Sequence, residues 1–254
     1  MKLLNLGCGN RLHPDWENCD LNPSDPGTKA VDLLRPLPWA SASFEGVYCS
    51  HVLEHLPRGK VSSVLKEIRR ILQTRGTFRV VVPDLAGIVR AYLQSFEEAR
   101  KELPGSQLRH EWMTLELLDQ LVRETPGGCM GRWWKLDPVP GKEFIQTRVG
   151  QEASAHWKDR DAKATPVPST DSIYMSEPFD EKRRMAFLKT GENHRWMYDE
   201  VSLGYLLSKE GFIDVKVCRA DESGIQDFRH YHLDTDESGQ VRKPDSLFME
   251  ARAP

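Results

Sequence analysis

The chain of 254 residues has no C-x-x-C pair and only five cysteines, Cys8, Cys19, Cys49, Cys129 and Cys218. An odd count without paired spacing argues against a disulfide framework and a cysteine zinc site, and it predicts reduced thiols in a cytoplasmic setting. No stretch approaches the ~18 apolar residues that a membrane span needs. The opening MKLLNLGCGN turns polar too soon for a secretory leader. Neither sign of charge dominates: 35 Lys and Arg stand against 38 Asp and Glu, a net charge of -3. A phosphate backbone is therefore not an expected partner, and nor is a membrane. Internal repeats are missing too. What is present is an ordinary globular balance, 39% hydrophobic and 29% charged, on a length that suits one large domain or a domain with an insertion.

Four short apolar runs come early: KLLNL (2–6), ENCDL (17–21), KAVDLL (29–34) and FEGVYCS (44–50). Each is bounded by Gly, Pro, Asn or Ser and reads as a strand buried on both faces. Val61, Val64, Leu65, Ile68, Ile71 and Leu72 then follow the helical period, and Gly76 is the expected cap. TFRVVV (77–82) reads as a fifth strand.

From 85 the pattern changes. Leu85, Ile88, Val89, Tyr92, Leu93 and Phe96 predict one amphipathic helix, and Leu108, Trp112, Leu115, Leu118, Leu121 and Val122 another. TPGGCMGRWW (125–134) reads as a turn-rich aromatic stretch, and 137–180 as long loops or a lid. Asp199 is an expected N-cap, with Gly211 as the stop of the same helix. FIDVKVC (212–218) and SLFMEAR (246–252) are the last strands. Strands alternating with helices predict a mainly parallel sheet. The final two strands have no evident helix between them and should pair antiparallel.

LNLGCGN places Gly7 and Gly9 directly after the first strand, where backbone without side chains can approach a ligand. A dinucleotide fingerprint needs a third glycine and a following helix. Here that glycine is missing, and Pro14 interrupts any helix at once. Asp20 and Asp32 close the second and third runs. An acidic side chain there can accept from ribose hydroxyls or an adenine amino group, or it can simply start a turn. Trp39 and Leu33 could flank an adenine or belong to the core.

LNLGCGN, VDLLRPLPW, FEGVYCSHVLEHL, LKEIRRIL and GTFRVVVPDL together resemble the class I S-adenosylmethionine-dependent methyltransferases, in their small bacterial type. The resemblance covers 1–84 and 194–218 and says little of 85–193. It implies an α/β, Rossmann-like, mainly parallel seven-stranded sheet with an antiparallel last strand, and a helical and loop insertion after the fifth strand. The core would be 1–84 with 194–254, and 85–193 would form a lid and acceptor site. S-adenosylmethionine would be the cofactor. Gly7, Cys8 and Gly9, with Asn10, would line its methionine part. Asp20, with Leu21, would hold the ribose, Asp32 and Leu33 would meet the adenine, and Ser50 and His51 would lie near the methionine amine and sulfonium. Only twelve residues separate Gly7 from Asp20, so the usual first helix should be nearly absent.

HVLEH (51–55) also fits the H-x-x-E-H pattern of inverted zinc peptidases. A zinc helix needs several turns, yet His55 is followed at once by Leu56 and Pro57. No metal is expected. His51 ends a central strand, where it is either a base or a neutral imidazole that shapes the pocket. Asp84 is the second base candidate, with a helix cap as its bland alternative. Glu54 and His55 read as structural. In the insertion Trp133 and Trp134 either stack on an acceptor or anchor a core, and His156, His194, Arg195, Trp196 and Tyr198 are further residues of interest. EKRRMAFLK (181–189) is basic on one face and reads as solvated, with binding of an anionic substrate as the alternative. The expected reaction is O-methylation of a small molecule or glycan. A silent S-adenosylmethionine-fold binding module and a nicotinamide-dependent oxidoreductase are the alternatives.

Overall fold

The structure, a computed structural model, describes residues 1–158, 173–174 and 180–254. The chain divides into two compact units. The first comprises Met1–Asp84, Trp196–Val241 and Ser246–Pro254; the second comprises Leu85–Arg195 and Arg242–Asp245. The expected boundary of 85–193 therefore differs from the observed one at 194, 195 and 242–245.

The first unit is built on a seven-stranded sheet of order β3-β2-β1-β4-β5-β7-β6. Its strands are β1 (Leu3–Leu6), β2 (Trp16–Asp20), β3 (Lys29–Ala30), β4 (Phe44–Ser50), β5 (Leu72–Pro83), β6 (Ile213–Val217) and β7 (Ser246–Arg252). The pairings β1–β2, β1–β4, β2–β3 and β4–β5 are parallel. β7 runs antiparallel to both β5 and β6. This is the Rossmann-like α/β class that the alternation of runs predicts.

Alternation along the strands divides the core in two. Leu4, Leu6, Val47, Cys49, Phe78, Val80 and Met249 face one side, where α1 (Val61–Ile71) and α8 (Glu200–Lys209) cover them. α1 presents Val61, Val64, Leu65, Ile68 and Ile71, the stripe that its period predicts. α8 starts at a capping box in which the Ser202 N–H donates to Asp199 Oδ1 at 2.7 Å and the Asp199 N–H donates to Ser202 Oγ at 3.1 Å. On the other side Leu3, Trp16, Tyr48, Val81 and Phe248 meet Ala220, Ile225, Phe228 and Leu233. That cover is an irregular segment between β6 and β7, with one short 3-10 turn at Phe228–Tyr231. Two features place it there. Residues 7–15 form turns and no helix, and Arg79 anchors the segment from below.

Arg79 sits mid-strand in β5 at 0% exposure. Its guanidinium donates to Asp234 Oδ2 (2.7 Å), Glu250 Oε1 (3.1 Å) and the carbonyls of Glu222, Arg219 and Ala220. Asp234 also accepts from the Tyr48 hydroxyl at 2.6 Å. Burial, then the Asp234 charge, hold the Tyr48 phenol well above the usual tyrosine range. A buried charge is tolerable only when paired and hydrogen-bonded, and here the partners are complete.

Three expectations about elements change. KAVDLL is a strand only at 29–30, because the Leu34 N–H donates to Asp32 Oδ1 at 2.9 Å and the Arg35 N–H to Asp32 O at 3.1 Å, which turns the chain. α1 stops at Ile71 without help from Gly76, because Leu72 is already extended and pairs with Phe44. Gly76 lies in the irregular start of β5, where a Cβ would meet Gln73 O at 2.8 Å.

The second unit contains α2 (Leu85–Arg100), α3 (Ser106–Val122), α4 (Gly128–Trp134), α5 (Lys142–Val149), α6 (Gln151–Lys158) and α7 (Glu181–Leu188). The stretches read as turns (125–134) and loops (137–180) thus hold α4, α5 and α6. Residues 159–172 and 175–179 lie outside the described residues. α4 forms because Asp119, buried on α3, accepts from the Cys129 N–H (2.7 Å) and the Met130 N–H (3.4 Å) and from Arg123 (2.8 Å). The site leaves no room for a Cβ on Gly128, which would meet Asp119 Oδ2 at 2.5 Å. Asp119→Ala is expected to cost about 2 kcal/mol or more of stability, since it strips an anion from a helix start and removes one of the two carboxylates that Arg123 meets. Urea unfolding measures this, and a loss below ~0.5 kcal/mol would refute the anchoring role. Among the described residues no helix is long and apolar enough to cross a membrane.

Candidate functional site

Parallel strands send their carboxyl ends to one edge of the sheet, and ligands of open α/β sheets bind there. At that edge β1 passes into Gly7, β2 ends at Asp20, β4 ends at Ser50, and β5 passes into Asp84. The edge is therefore lined by groups that come from four neighbouring strands.

The first loop is fixed by backbone bonds. The Gly7 and Cys8 N–H groups both donate to Cys19 O, at 2.8 and 3.0 Å. Gly7 has φ 68°, and a Cβ there would lie 2.3 Å from Val52 Cγ2. Glycine is required at this position because the loop after β4 passes directly against it. Gly9 also has a positive φ, 50°, but a Cβ there meets nothing within 4 Å. Its exposed face is open, with Asn10 exposed beside it.

Asp20 receives the Gly9 N–H at Oδ2 (2.9 Å) and the Asn22 N–H at Oδ1 (3.1 Å). A carboxylate offers about four acceptor sites, so each oxygen keeps one lone pair. Burial, then the Asp20 charge, pushes the Cys8 thiol up. Burial pushes the Cys19 thiol up to about 12. All five cysteines are free thiols. Leu21 is 55% exposed and adds no core packing.

Asp32 and Leu33 follow β3 within the turn described above. The Asp32 carboxylate also faces Arg35 Nε at 3.4 Å. Leu33 packs on the core edge. Trp39 belongs to the core: it is buried, donates from Nε1 to Glu17 Oε1 at 2.6 Å and meets Phe44 edge-on at 5.6 Å. Of the two readings of Trp39, the structure supports the core one.

After β4 the chain turns at once. His51 has φ 54°, an unusual value for a residue with a Cβ. Its N–H donates to Val81 O at 2.9 Å. Leu53–His55 then form a 3-10 turn, so His51 and His55 do not share a helix face, and the zinc-helix pattern has no helix behind it. His51 Nδ1 lies 3.2 Å from Glu54 Oε1, and its Nε2 lies 3.0 Å from Ser246 Oγ. Glu54, read as structural, thus touches the base candidate directly. Asp84 makes a parallel bridge with Tyr198. Burial pushes the Tyr198 phenol up to about 12, with the Glu54 charge adding and Arg58 opposing.

Several contributors escaped the sequence reading. Asn5, buried in β1, donates to Arg11 O (2.7 Å) and Asn18 Oδ1 (3.0 Å), and Asn18 donates to His13 O and Trp16 O at 2.9 Å each. These two amides fasten the helix-free connection 7–15. A polar residue inside LLNL was the available signal. Ser246 gave none, since a serine opening a strand is ordinary.

In the second unit Trp133 is fully buried, donates to Pro140 O at 3.0 Å and packs edge-on against Trp112, so it anchors that core rather than an acceptor. Trp134 stacks on Trp112 and meets His156 at 5.4 Å. His194 is buried, and its N–H donates to Gln120 O at 3.0 Å. α7 keeps Lys182, Arg183 and Arg184 exposed, as a solvated basic face would. In the first unit Arg58 lies near the rings of Trp196 and Tyr198, at 5.9 and 5.8 Å.

The strand order, with β7 antiparallel between β5 and β6, defines a Rossmann-like fold, and the Gly–Asp edge is its candidate ligand side. Residues 22–80 match a family model described as a methyltransferase domain. The matched segment holds β3, β4, the His51 turn, α1 and most of β5, and it supports a methyltransferase reading. Comparison with curated proteins gives no match. Among solved structures the chain is similar to a SAM dependent methyltransferase from Archaeoglobus fulgidus, with 12% identity over 99% of this chain and 85% of that chain and a TM-score of 0.41. It is also similar to human N-acetylserotonin methyltransferase in complex with SAM, with 13% identity over 98% of this chain and 46% of that chain and a TM-score of 0.38.

Proposed function

We infer that the protein is an S-adenosylmethionine-dependent methyltransferase that methylates an oxygen of a small molecule or glycan. The observation that carries this reading is the Asp20 carboxylate, held by the Gly9 and Asn22 N–H groups with one lone pair free on each oxygen, beside the side-chain-free Gly9. Two adjacent free acceptors fit the two hydroxyls of a ribose. The residues present thus fit the cofactor. A dinucleotide fits less well, since residues 7–15 form no helix whose N-terminus could take a pyrophosphate.

When bound, S-adenosylmethionine supplies an electrophilic methyl group on a sulfonium. Asp20, with Leu21 at its side, holds the ribose. Gly7, Cys8, Gly9 and Asn10 give backbone contact to the methionine end. Asp32 and Leu33 receive the adenine, and Ser50 and His51 bound the cleft near the methyl group. His51 and Asp84 are the bases available to an acceptor hydroxyl. Methyl transfer is an in-line displacement, so the protein contributes alignment and dryness more than covalent chemistry.

Calorimetric titration with S-adenosylhomocysteine tests this. Micromolar binding is expected, and Asp20→Ala should weaken it roughly tenfold to hundredfold, the loss of a charge-assisted pair of hydrogen bonds. Asp20→Asn, which retains one acceptor oxygen, should fall between. No binding to a folded protein, or binding indifferent to Asp20, would overturn the assignment.

A further inference from the structure

Arg70, Arg75 and Arg79 meet carboxylates at 2.8, 2.8 and 2.7 Å. Arg58 meets none. Among the described residues its guanidinium makes no ion pair and no hydrogen bond. Its neighbours are rings instead. The guanidinium carbon lies 5.9 Å from the centre of the Trp196 ring and 5.8 Å from that of Tyr198, within reach of a cation–π attraction. Such contacts place the charge without using its N–H donors, so the fork is still available.

The place is defined by the elements around it. Arg58 opens the 3-10 turn Arg58–Lys60, which follows the turn Leu53–His55 after β4. The Trp196 N–H donates to Glu54 O at 3.2 Å, and Tyr198 bridges Asp84. The segment 196–198 therefore runs along the ligand edge of the sheet, next to the base candidate Asp84. Trp196 is 46% exposed, while Tyr198 is fully buried. The Tyr198 hydroxyl has no hydrogen-bond partner among the described residues, and native proteins leave few buried polar groups in that state. Glu54, the acidic group that acts on the same phenol, lies outside ion-pair distance of Arg58. An open indole face beside an unpaired guanidinium combines two kinds of recognition. The indole takes a ring, and the guanidinium takes an oxyanion in two parallel hydrogen bonds.

We propose that Arg58 and Trp196 form an acceptor subsite for a ring compound that carries a carboxylate or phosphate group. The proposal rests on the methyl-transfer reading above and narrows its substrate to acidic ring compounds. The ring lies on Trp196, the oxyanion lies on Arg58, and the acceptor hydroxyl is left for the candidate bases. Arg58 takes no part in the transfer itself. Its contribution is alignment, which a displacement along one line depends on. Lysine would supply the charge without the planar fork, so arginine at this position is a choice of geometry as well as of sign.

The test is a proton–nitrogen NMR titration of the full nitrogen-labelled chain without cofactor. The probes are benzoate, phenyl phosphate and the neutral benzyl alcohol. Trp196→Phe assigns the indole N–H signal of Trp196. At least one of the two acids is expected to shift that signal and to bind about tenfold or more tighter than benzyl alcohol. The tighter acid identifies the oxyanion as carboxylate or phosphate. Arg58→Gln should bring both acids to the level of benzyl alcohol, and Arg58→Lys should fall between. Should Arg58→Gln not fold, Arg58→Lys decides: weaker acid binding supports the fork, and unchanged binding refutes it. Acids that bind no better than benzyl alcohol, leave the Trp196 signal in place, or bind equally to Arg58→Gln would overturn the proposal. None of these readouts needs turnover. If S-adenosylhomocysteine fails to bind while the acids still select Arg58, the methyltransferase reading falls and the anion subsite stands. The reverse outcome removes the subsite alone.

Discussion

Arg79→Met is expected to destabilise the protein by about 3–5 kcal/mol, the cost of breaking a buried ion pair from one side. The substitution leaves Asp234 and Glu250 buried without their cation. It also frees three carbonyls, those of Arg219, Ala220 and Glu222, that hold the start of the β6–β7 segment. Asp234 and Glu250 keep partial partners in Tyr48 and in Ser223 and Gly224. Those partners cannot neutralise two charges. Replacing all three charged residues by apolar ones of similar volume should recover much of the loss, because the desolvation penalty disappears with the charges. Urea unfolding of the single and triple variants measures both. A loss below ~1 kcal/mol for Arg79→Met would mean that water reaches the network and that it behaves as a surface pair. The experiment also bears on function. The segment that Arg79 anchors contributes Asp234, whose carboxyl feels the His51 charge, and it leads into β7, which begins at Ser246.

Gly7→Ala is expected to abolish S-adenosylhomocysteine binding at micromolar concentration, whereas Gly9→Ala should retain measurable binding. Both glycines have positive φ, so both pay about 1 kcal/mol or more of backbone strain when a Cβ is added. They differ in surroundings. At Gly7 the new methyl would overlap Val52 Cγ2 at 2.3 Å, while at Gly9 it meets open space. Relief at Gly7 requires the loop after β1 to move away from the His51–Val52 turn, and both loops line the candidate cleft. Val52→Ala in the Gly7→Ala background removes the clashing branches and should restore part of the affinity, a coupling that a double-mutant cycle reports. Equal affinities for Gly7→Ala and the unaltered protein would refute the close approach.

The elements that periodicity marks strongly were legible from the residues alone. The α1 stripe, the Asp199 cap and the order of strands and helices were read correctly, because each depends on neighbours within a few residues. Elements that depend on distant partners were not. α4 exists because Asp119, on another helix, satisfies its first N–H groups. KAVDLL looks apolar enough for a full strand, yet Asp32 binds its own downstream backbone and ends it after two residues. α5 and α6 carry weak periodicity and several polar residues, so composition suggested loops.

The candidate site divides in the same way. Gly7, Gly9 and Asp20 could be named from sequence because strand ends punctuated by glycine and acid are local features. Their different roles could not, since only the packed loops show that Gly7 is crowded and Gly9 is not. HVLEH places two histidines at helical spacing, but Pro57 already argued against a zinc helix there. The fold turns His51 into a left-handed conformation, sets its Nδ1 3.2 Å from Glu54, three residues away, and brings its Nε2 to Ser246, 195 positions away. By itself the sequence determined the sheet, its helices and the loop chemistry at its edge, through short-range hydrogen bonds and hydrophobic period. Only the tertiary structure decided which face an irregular segment covers, which buried charge holds it there, and which group sits on either side of His51. Those are contacts between residues far apart in the chain, brought together when the strands of one sheet find their neighbours.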